Sequence, residues 1–299
     1  MCQLQLAAGY LESGRVQMDH GDKKHPGNRD PQCAATKEQR APSLAQQMSH
    51  VRQVIGVMSG KGGVGKSLVT ALLAVVLRQS GRAVGVLDAD ITGPSIPKML
   101  GLDSRPEASE FGLVPVTTPS GIRVMSLNLL LDRPDDPVIW RGPLLANTVK
   151  QFWEEVVWGN LDALLVDLPP GTSDVPLTVM QSLPVSGLII VCSPQELAAM
   201  IVRKAIKMAA MLDIRVLGLV ENMTHLVCPH CGKRVDLFGP EQGPNAARAA
   251  GIQVLASIPV DPELSRLCDS GEIESYERNP FQRRATALES LLGDALAGG

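Results

Sequence analysis

Ser59-Gly60-Lys61-Gly62-Gly63-Val64-Gly65-Lys66-Ser67 decides the fold of this chain. It satisfies the phosphate-loop pattern of a glycine, four residues, then Gly-Lys-Ser. The glycines let the backbone bend so that several N–H groups face one anion, with the positive end of the next helix behind them. Gly60, Gly62, Gly63, Val64 and Gly65 are then backbone contacts to phosphate. Lys66 reaches the β- and γ-phosphates, and the Ser67 hydroxyl ligates Mg2+. The context is the one the motif requires. Val54-Ile55-Gly56-Val57-Met58 reads as a buried strand before the loop, and 68–77 reads as an apolar helix after it.

Lys61 sits where the generic motif asks for nothing. Lys-Gly-Gly-Val-Gly-Lys-Ser at 61–67 resembles the deviant phosphate loop of the MinD/Mrp/nitrogenase-iron-protein class of ATPases. In that class the early lysine contacts nucleotide held by the opposite subunit of a dimer. The resemblance therefore implies a dimerising ATPase rather than a generic phosphate binder.

Outward from the loop, apolar strands and helices alternate from Val51 onward, the pattern of a parallel sheet covered on both faces. Further strands are expected at 83–87, 122–127, 161–166, 187–191, 216–220 and 253–258. Helices fit at 144–157, 175–182, 197–212, 245–250 and 281–296. The predicted fold is α/β, a doubly wound, mostly parallel sheet of the P-loop type. Residues 1–48 differ: 14–40 is polar and charged without periodic apolar residues, and reads as a flexible tail before an ATPase domain over 49–299. Cys2 and Cys33 lie in that tail without ligand spacing, and Met48 just before the first strand suggests an upstream start site.

Composition narrows the function. The chain has 299 residues, 44% hydrophobic and 20% charged, enough for one large α/β core. A net charge of −3 and 3% aromatic content argue against a nucleic-acid surface. No apolar run reaches the roughly 18 residues a membrane span needs, no signal pattern opens the chain, and the last helix is not strongly basic. No membrane association is expected, and the location is read as cytoplasmic. Six cysteines, two of them in one Cys-x-x-Cys, suggest reduced thiols and a metal rather than a disulfide framework.

Ligands of an open parallel sheet bind beyond the carboxyl ends of its strands. Asp88, Asp90 and Asp167 fall there. Leu164-Leu165-Val166-Asp167 has the Walker B form, an apolar strand closing on the aspartate that orients Mg2+. Of Asp88 and Asp90, one can serve the metal while the other positions the attacking water. The stiff turn Leu168-Pro169-Pro170-Gly171-Thr172-Ser173-Asp174 can report the γ-phosphate, with Asp174 as an expected helix N-cap.

Cys228-Pro229-His230-Cys231-Gly232, within the segment 225–235, supplies two thiolates to one metal centre, and a closed site takes four ligands. A second copy of the chain would complete them. A subunit-bridging iron–sulfur cluster, a zinc site and a redox dithiol all fit, and His225 and His230 could complete zinc within one chain. Cys192 and Cys268 read as core or unpartnered residues.

Together these stretches resemble the Mrp/ApbC family of P-loop iron–sulfur carrier ATPases, which includes the NUBPL and Nbp-type scaffolds. The matching segments are 59–67, 87–97, Trp-Arg-Gly-Pro at 140–143, Asp-Leu-Pro-Pro-Gly-Thr-Ser-Asp at 167–174, Glu-Asn-Met at 221–223 and 228–232. The resemblance implies a trans-acting Lys61, a switch carboxylate at Asp90, a second switch from Asp167, and adenine contact by Asn222. It also implies that Cys228 and Cys231 hold half of a 4Fe–4S cluster at the axis of a homodimer, which passes the cluster to recipient apoproteins. Leu68 stands where the family usually has Thr, and Ser173 where it has Gly. The rival reading is a MinD/ParA-type positioning switch with a structural zinc. A tail-anchored-protein targeting ATPase is disfavoured by the lack of a Met-rich insertion.

Overall fold

A computed structural model describes residues 42–90, 95–131, 142–194 and 198–282. The described residues from Ser43 onward group as one compact unit. The expected 281–296 helix and nearly all of the expected tail lie outside the described residues. Ser43–Met48, which fall inside the stretch read as tail, carry a short helix, α1 (Leu44–Gln47), closed by a capping box between Ser43 and Gln46.

The centre is a nine-stranded sheet. In chain order its strands are β1 (Val54–Ser59), β2 (Val84–Asp88), β3 (Val116–Thr117), β4 (Arg123–Ser126), β5 (Ala163–Asp167), β6 (Gly187–Cys192), β7 (Arg215–Val227), β8 (Arg234–Val235) and β9 (Val254–Val260). They lie in the order β8-β7-β6-β1-β5-β2-β4-β3, with β9 on the far side of β7. The neighbours from β7 to β4 pair parallel; only β3 and β8 run antiparallel to their partners. The phosphate-loop strand β1 is thus central, with the Walker B strand β5 beside it and β2 one strand further.

Strands buried on both faces explain why the apolar runs are continuous rather than alternating. The pleat still sorts them. Ile55, Val57, Val84, Val86 and Leu165 join one core with the helices α2 (Lys66–Gln79), α3 (Ile96–Met99) and α8 (Pro262–Ser270). Val54, Met58, Leu87, Leu164 and Val166 join the other with α4 (Gly142–Glu155), α5 (Asp174–Ser182), α6 (Ala198–Met211) and α7 (Gly243–Ala250). Helices on both faces of a mostly parallel sheet are the doubly wound α/β arrangement expected. Among the described residues no helix is long and apolar enough to cross a membrane.

Besides the short elements α1, α3, β3 and β8, which were not expected, two longer ones differ from expectation. β7 runs to Val227, past the expected end at 220, and bends at Met223, whose φ is 59°. Its polar run Glu221-Asn222-Met223-Thr224-His225 masks a strand whose side chains are bonded inside the protein. α8 was not expected because Leu264 and Leu267 are its only buried residues, too few for a periodic signal.

Candidate functional site: a phosphate loop and an exposed cysteine turn

β1 delivers the chain to the loop at residues 60–65, and α2 begins at Lys66. Gly65 caps α2 in the left-handed region, φ 82°, which a β-carbon disfavours. A Cβ there would also lie 2.1 Å from Nδ2 of Asn222, while at Gly62 or Gly63 it would meet nothing within 4 Å. The loop is therefore tight on its protein side and open on the other, the shape an anion cradle needs.

Below the loop sits a buried charge cluster. Lys66 Nζ lies 2.8 Å from Asp167 Oδ1 and 3.2 Å from Asp90 Oδ2. Ser67 Oγ donates to Asp167 Oδ2 at 2.5 Å, and Thr70 Oγ1 lies 3.1 Å from Asp167 Oδ1. Asp88 pairs in register with Asp167 across β2 and β5. Its Oδ2 accepts from Ser126 Oγ at 3.0 Å and its Oδ1 from the Asp90 N–H at 3.1 Å.

Burial, then the Asp167 charge, pushes the Asp88 carboxyl up to about 8. Burial likewise raises Asp167, against the pull of Lys66. Burial works against the charged form of Lys66, but Asp167 and Asp90 more than offset it and its pKa rises. Three carboxylates facing one ammonium leave a surplus of two negative charges when all are ionised. A divalent cation fits that surplus. Among the described residues no group of three or more His, Cys, Asp or Glu forms a metal cage. Mg2+ takes one or two protein ligands and fills its shell with phosphate and water.

The segment after Asp167 is strapped to the loop strand. The Leu168 N–H donates to Val57 O at 3.0 Å and the Gly171 N–H to Ser59 O at 2.8 Å. The expected cap differs: Ser173 precedes α5, and Asp174 is its first residue, a carboxylate in the first turn where the helix dipole favours it. Asn222 Nδ2 donates to Val64 O at 2.9 Å, so its amide braces the phosphate loop from β7. Lys61 is partly exposed on the loop, and Leu68 packs against the core.

Sequence reasoning missed three buried polar residues. Thr70 and Ser126 serve the carboxylates; Thr70 was detectable as the residue one helical turn beyond Lys66. Glu221 Oε1 accepts the N–H groups of Gln242 at 2.9 Å and Gly243 at 2.7 Å, fixing the start of α7. Its burial has no signal in a single sequence.

The cysteine motif is a turn joining β7 to β8. The Cys228 N–H donates to Lys233 O and the Gly232 N–H to Cys228 O, both at 2.9 Å, and Gly232 turns the chain at φ 68°. The Cys231 and His230 N–H groups and the Cys231 thiol bond the Cys228 sulfur and lower its pKa. Such donors favour thiolate, the form that binds metals. His225 Nδ1 instead lies 3.0 Å from Thr224 Oγ1. Among the described residues no group of three or more His, Cys, Asp or Glu gathers at this turn. Cys192 is buried in β6 and its thiol is pushed up to about 12, a core residue as expected; Cys268 is half-buried and raised to about 11.

Comparison with known proteins gives the family of the chain. An iron–sulfur cluster carrier protein of Methanocaldococcus jannaschii is 47% identical over 80% of this chain and 84% of its own. The cytosolic Fe-S cluster assembly factor NUBP2 of Bos taurus is 42% identical over 84% of this chain and 96% of its own. Among solved structures, a nucleotide-binding protein from Archaeoglobus fulgidus in complex with ADP superposes with a TM-score of 0.71 at 48% identity, covering 78% of this chain and 91% of that one. The family model of the NUBPL iron-transfer P-loop NTPases, in the ParA group, matches residues 50–294, and the chain belongs to that family.

Proposed function

We propose that this chain is an ATP-hydrolysing carrier of an iron–sulfur cluster, working as a homodimer that passes a 4Fe–4S cluster to recipient apoproteins. The observation that carries the proposal is the Cys228–Cys231 turn: two solvent-facing sulfurs, one activated by backbone N–H groups, with no third ligand from the described residues. Two thiolates are half of what a cubane cluster takes, and a second copy across a two-fold axis supplies the rest. Val227, Val235, Leu237 and Phe238 are exposed along the same hairpin, an apolar rim suited to that contact. A cluster held at an axis is exposed and releasable, as cargo must be. The names of the 47% and 42% identical relatives support the same cargo and a cytosolic setting.

At the nucleotide end, the backbone N–H groups of 60–65 and Lys66 bind phosphate, which requires Lys66 to exchange Asp167 and Asp90 for the nucleotide. Ser67 and Asp167, with Asp88 beside it, hold Mg2+, which supplies charge neutralisation at the phosphates. Asp90, freed from Lys66, orients the attacking water. Lys61 reaches the nucleotide of the partner copy. Asn222 stands between nucleotide and cargo, bracing Val64 from the strand that leads to Cys228.

Anaerobic reconstitution tests the cargo. The wild-type protein should take about four irons and four sulfides per dimer, and Cys228→Ser or Cys231→Ser should each abolish them while ADP still binds. Stoichiometric zinc without iron would overturn the carrier reading and leave a zinc-bridged ATPase.

A further inference from the structure

We infer that Thr70 is a positioning residue of the Mg2+ site, whose hydroxyl holds the Asp167 carboxylate in place while Lys66 and Ser67 leave it for nucleotide and metal. The inference rests on the roles proposed above for those two residues. Asp167 is fully buried and takes three side-chain donors: Lys66 Nζ, Ser67 Oγ and Thr70 Oγ1. Two of the three are the groups that a phosphate loop commits to phosphate and Mg2+. A buried carboxylate stripped of both is costly unless another donor remains.

Thr70 is that donor. It is fully buried one turn into α2. Its hydroxyl lies 3.1 Å from two acceptors, Asp167 Oδ1 and the Lys66 carbonyl, but carries a single hydrogen. While the ammonium of Lys66 satisfies Asp167, that hydrogen is free to rest on the carbonyl, the usual i−4 bond of a helical threonine. When the ammonium departs, a rotation of the hydroxyl alone directs it to Asp167. Leu68 packs against the core and carries no hydroxyl, and Ser67 is assigned to metal.

Calorimetry of ADP binding, with and without Mg2+, tests this on Thr70→Val and Thr70→Ser. Valine keeps the shape and removes the hydroxyl; serine keeps the hydroxyl and removes the methyl. Wild type should bind ADP more tightly with Mg2+. Thr70→Val should retain metal-free ADP affinity within about twofold and lose roughly tenfold of the Mg2+ enhancement, the scale of one hydrogen bond to a charged group. Thr70→Ser should restore the enhancement, and Mn2+ binding followed by its magnetic resonance spectrum should report the same ranking without turnover. Full Mg2+ enhancement in Thr70→Val overturns the inference, and so does a serine variant that fails as valine does. Should valine prevent folding, Thr70→Ala against Thr70→Ser makes the same comparison. A wild-type protein whose ADP affinity ignores Mg2+ overturns the assignment of Ser67 and Asp167 itself, a distinct result.

Discussion

Replacing Lys66 with methionine removes the one ammonium that faces Asp167 and Asp90, and the consequence should appear in stability as well as in binding. Lys66 is 5% exposed and Asp167 0%, so water cannot replace the lost partner. Removing one member of a buried pair destabilises by about 3–5 kcal/mol, because an uncompensated charge stays behind. For a domain of this size that lowers Tm by roughly 10 °C. The loss should depend on pH. Without the ammonium, Asp167 and Asp88 hold their protons more tightly, so the variant escapes part of the penalty at low pH and its loss grows as pH rises. In wild type the Lys66 contribution itself is steady over this range, since a raised lysine loses its stabilisation only as pH climbs past 10.5. Melting curves in chelator at both pH values, for Lys66→Met, Asp167→Asn and the double variant, give the coupling energy. The double variant should recover most of the loss. A Lys66→Met protein as stable as wild type at pH 8, or a coupling below about 0.5 kcal/mol, would refute the view of this cluster as a charge latch.

Asp88 gives a second expectation. Its carboxyl is raised to about 8 from 3.8, so its contribution to metal-free stability is full below 3.8 and lost as pH rises through about 8. A cation that displaces its proton therefore binds better at high pH. The rise in Tm produced by Mg2+ and ADP should grow from pH 6 to pH 9, and Asp88→Asn should flatten that slope. The cysteines give a third. With Cys228 lowered and Cys192 and Cys268 raised, iodoacetamide at pH 8 should label Cys228 well before either of the others, as peptide mass spectrometry will show; equal labelling would refute the turn as a thiolate site.

Much of the fold was legible because its strands are buried on both faces. β1, β2, β5 and β6 are short apolar runs that end at serine, aspartate or cysteine, and each lies within a residue or two of its expected place. What failed was any element whose burial is supplied by partners distant in sequence. β7 continues through Glu221, Asn222, Thr224 and His225 because Glu221 meets the α7 N–H groups, Asn222 meets Val64 and Thr224 meets Ile258 O at 3.2 Å. α8 had its caps in plain view, Asp261-Pro262 before it and Gly271 after it, but only two apolar residues between them. At the site, the loop and the strand-end carboxylates followed from spacing alone. Ser126 did not, since a buried hydroxyl differs from an exposed one only by what surrounds it, and for Thr70 the one signal was its helical spacing from Lys66.

The same distinction separates the two halves of the proposed mechanism. A phosphate loop is closed by local chain geometry, so one sequence contains all of it. A two-cysteine turn is closed only by a second molecule, and no reading of one chain can supply the other pair of ligands. What one chain does contain is the link between them. Asn222, braced on the phosphate loop, and Cys228, just beyond the end of β7, stand on a single extended stretch of backbone. At about 3.3 Å per residue they lie no more than roughly 20 Å apart along it. The bend at Met223, held at φ 59°, sits between the two. The brace on the loop and the cysteine turn therefore share one strand, and in the proposed mechanism Met223 is the place where a shift at one site would be passed to the other.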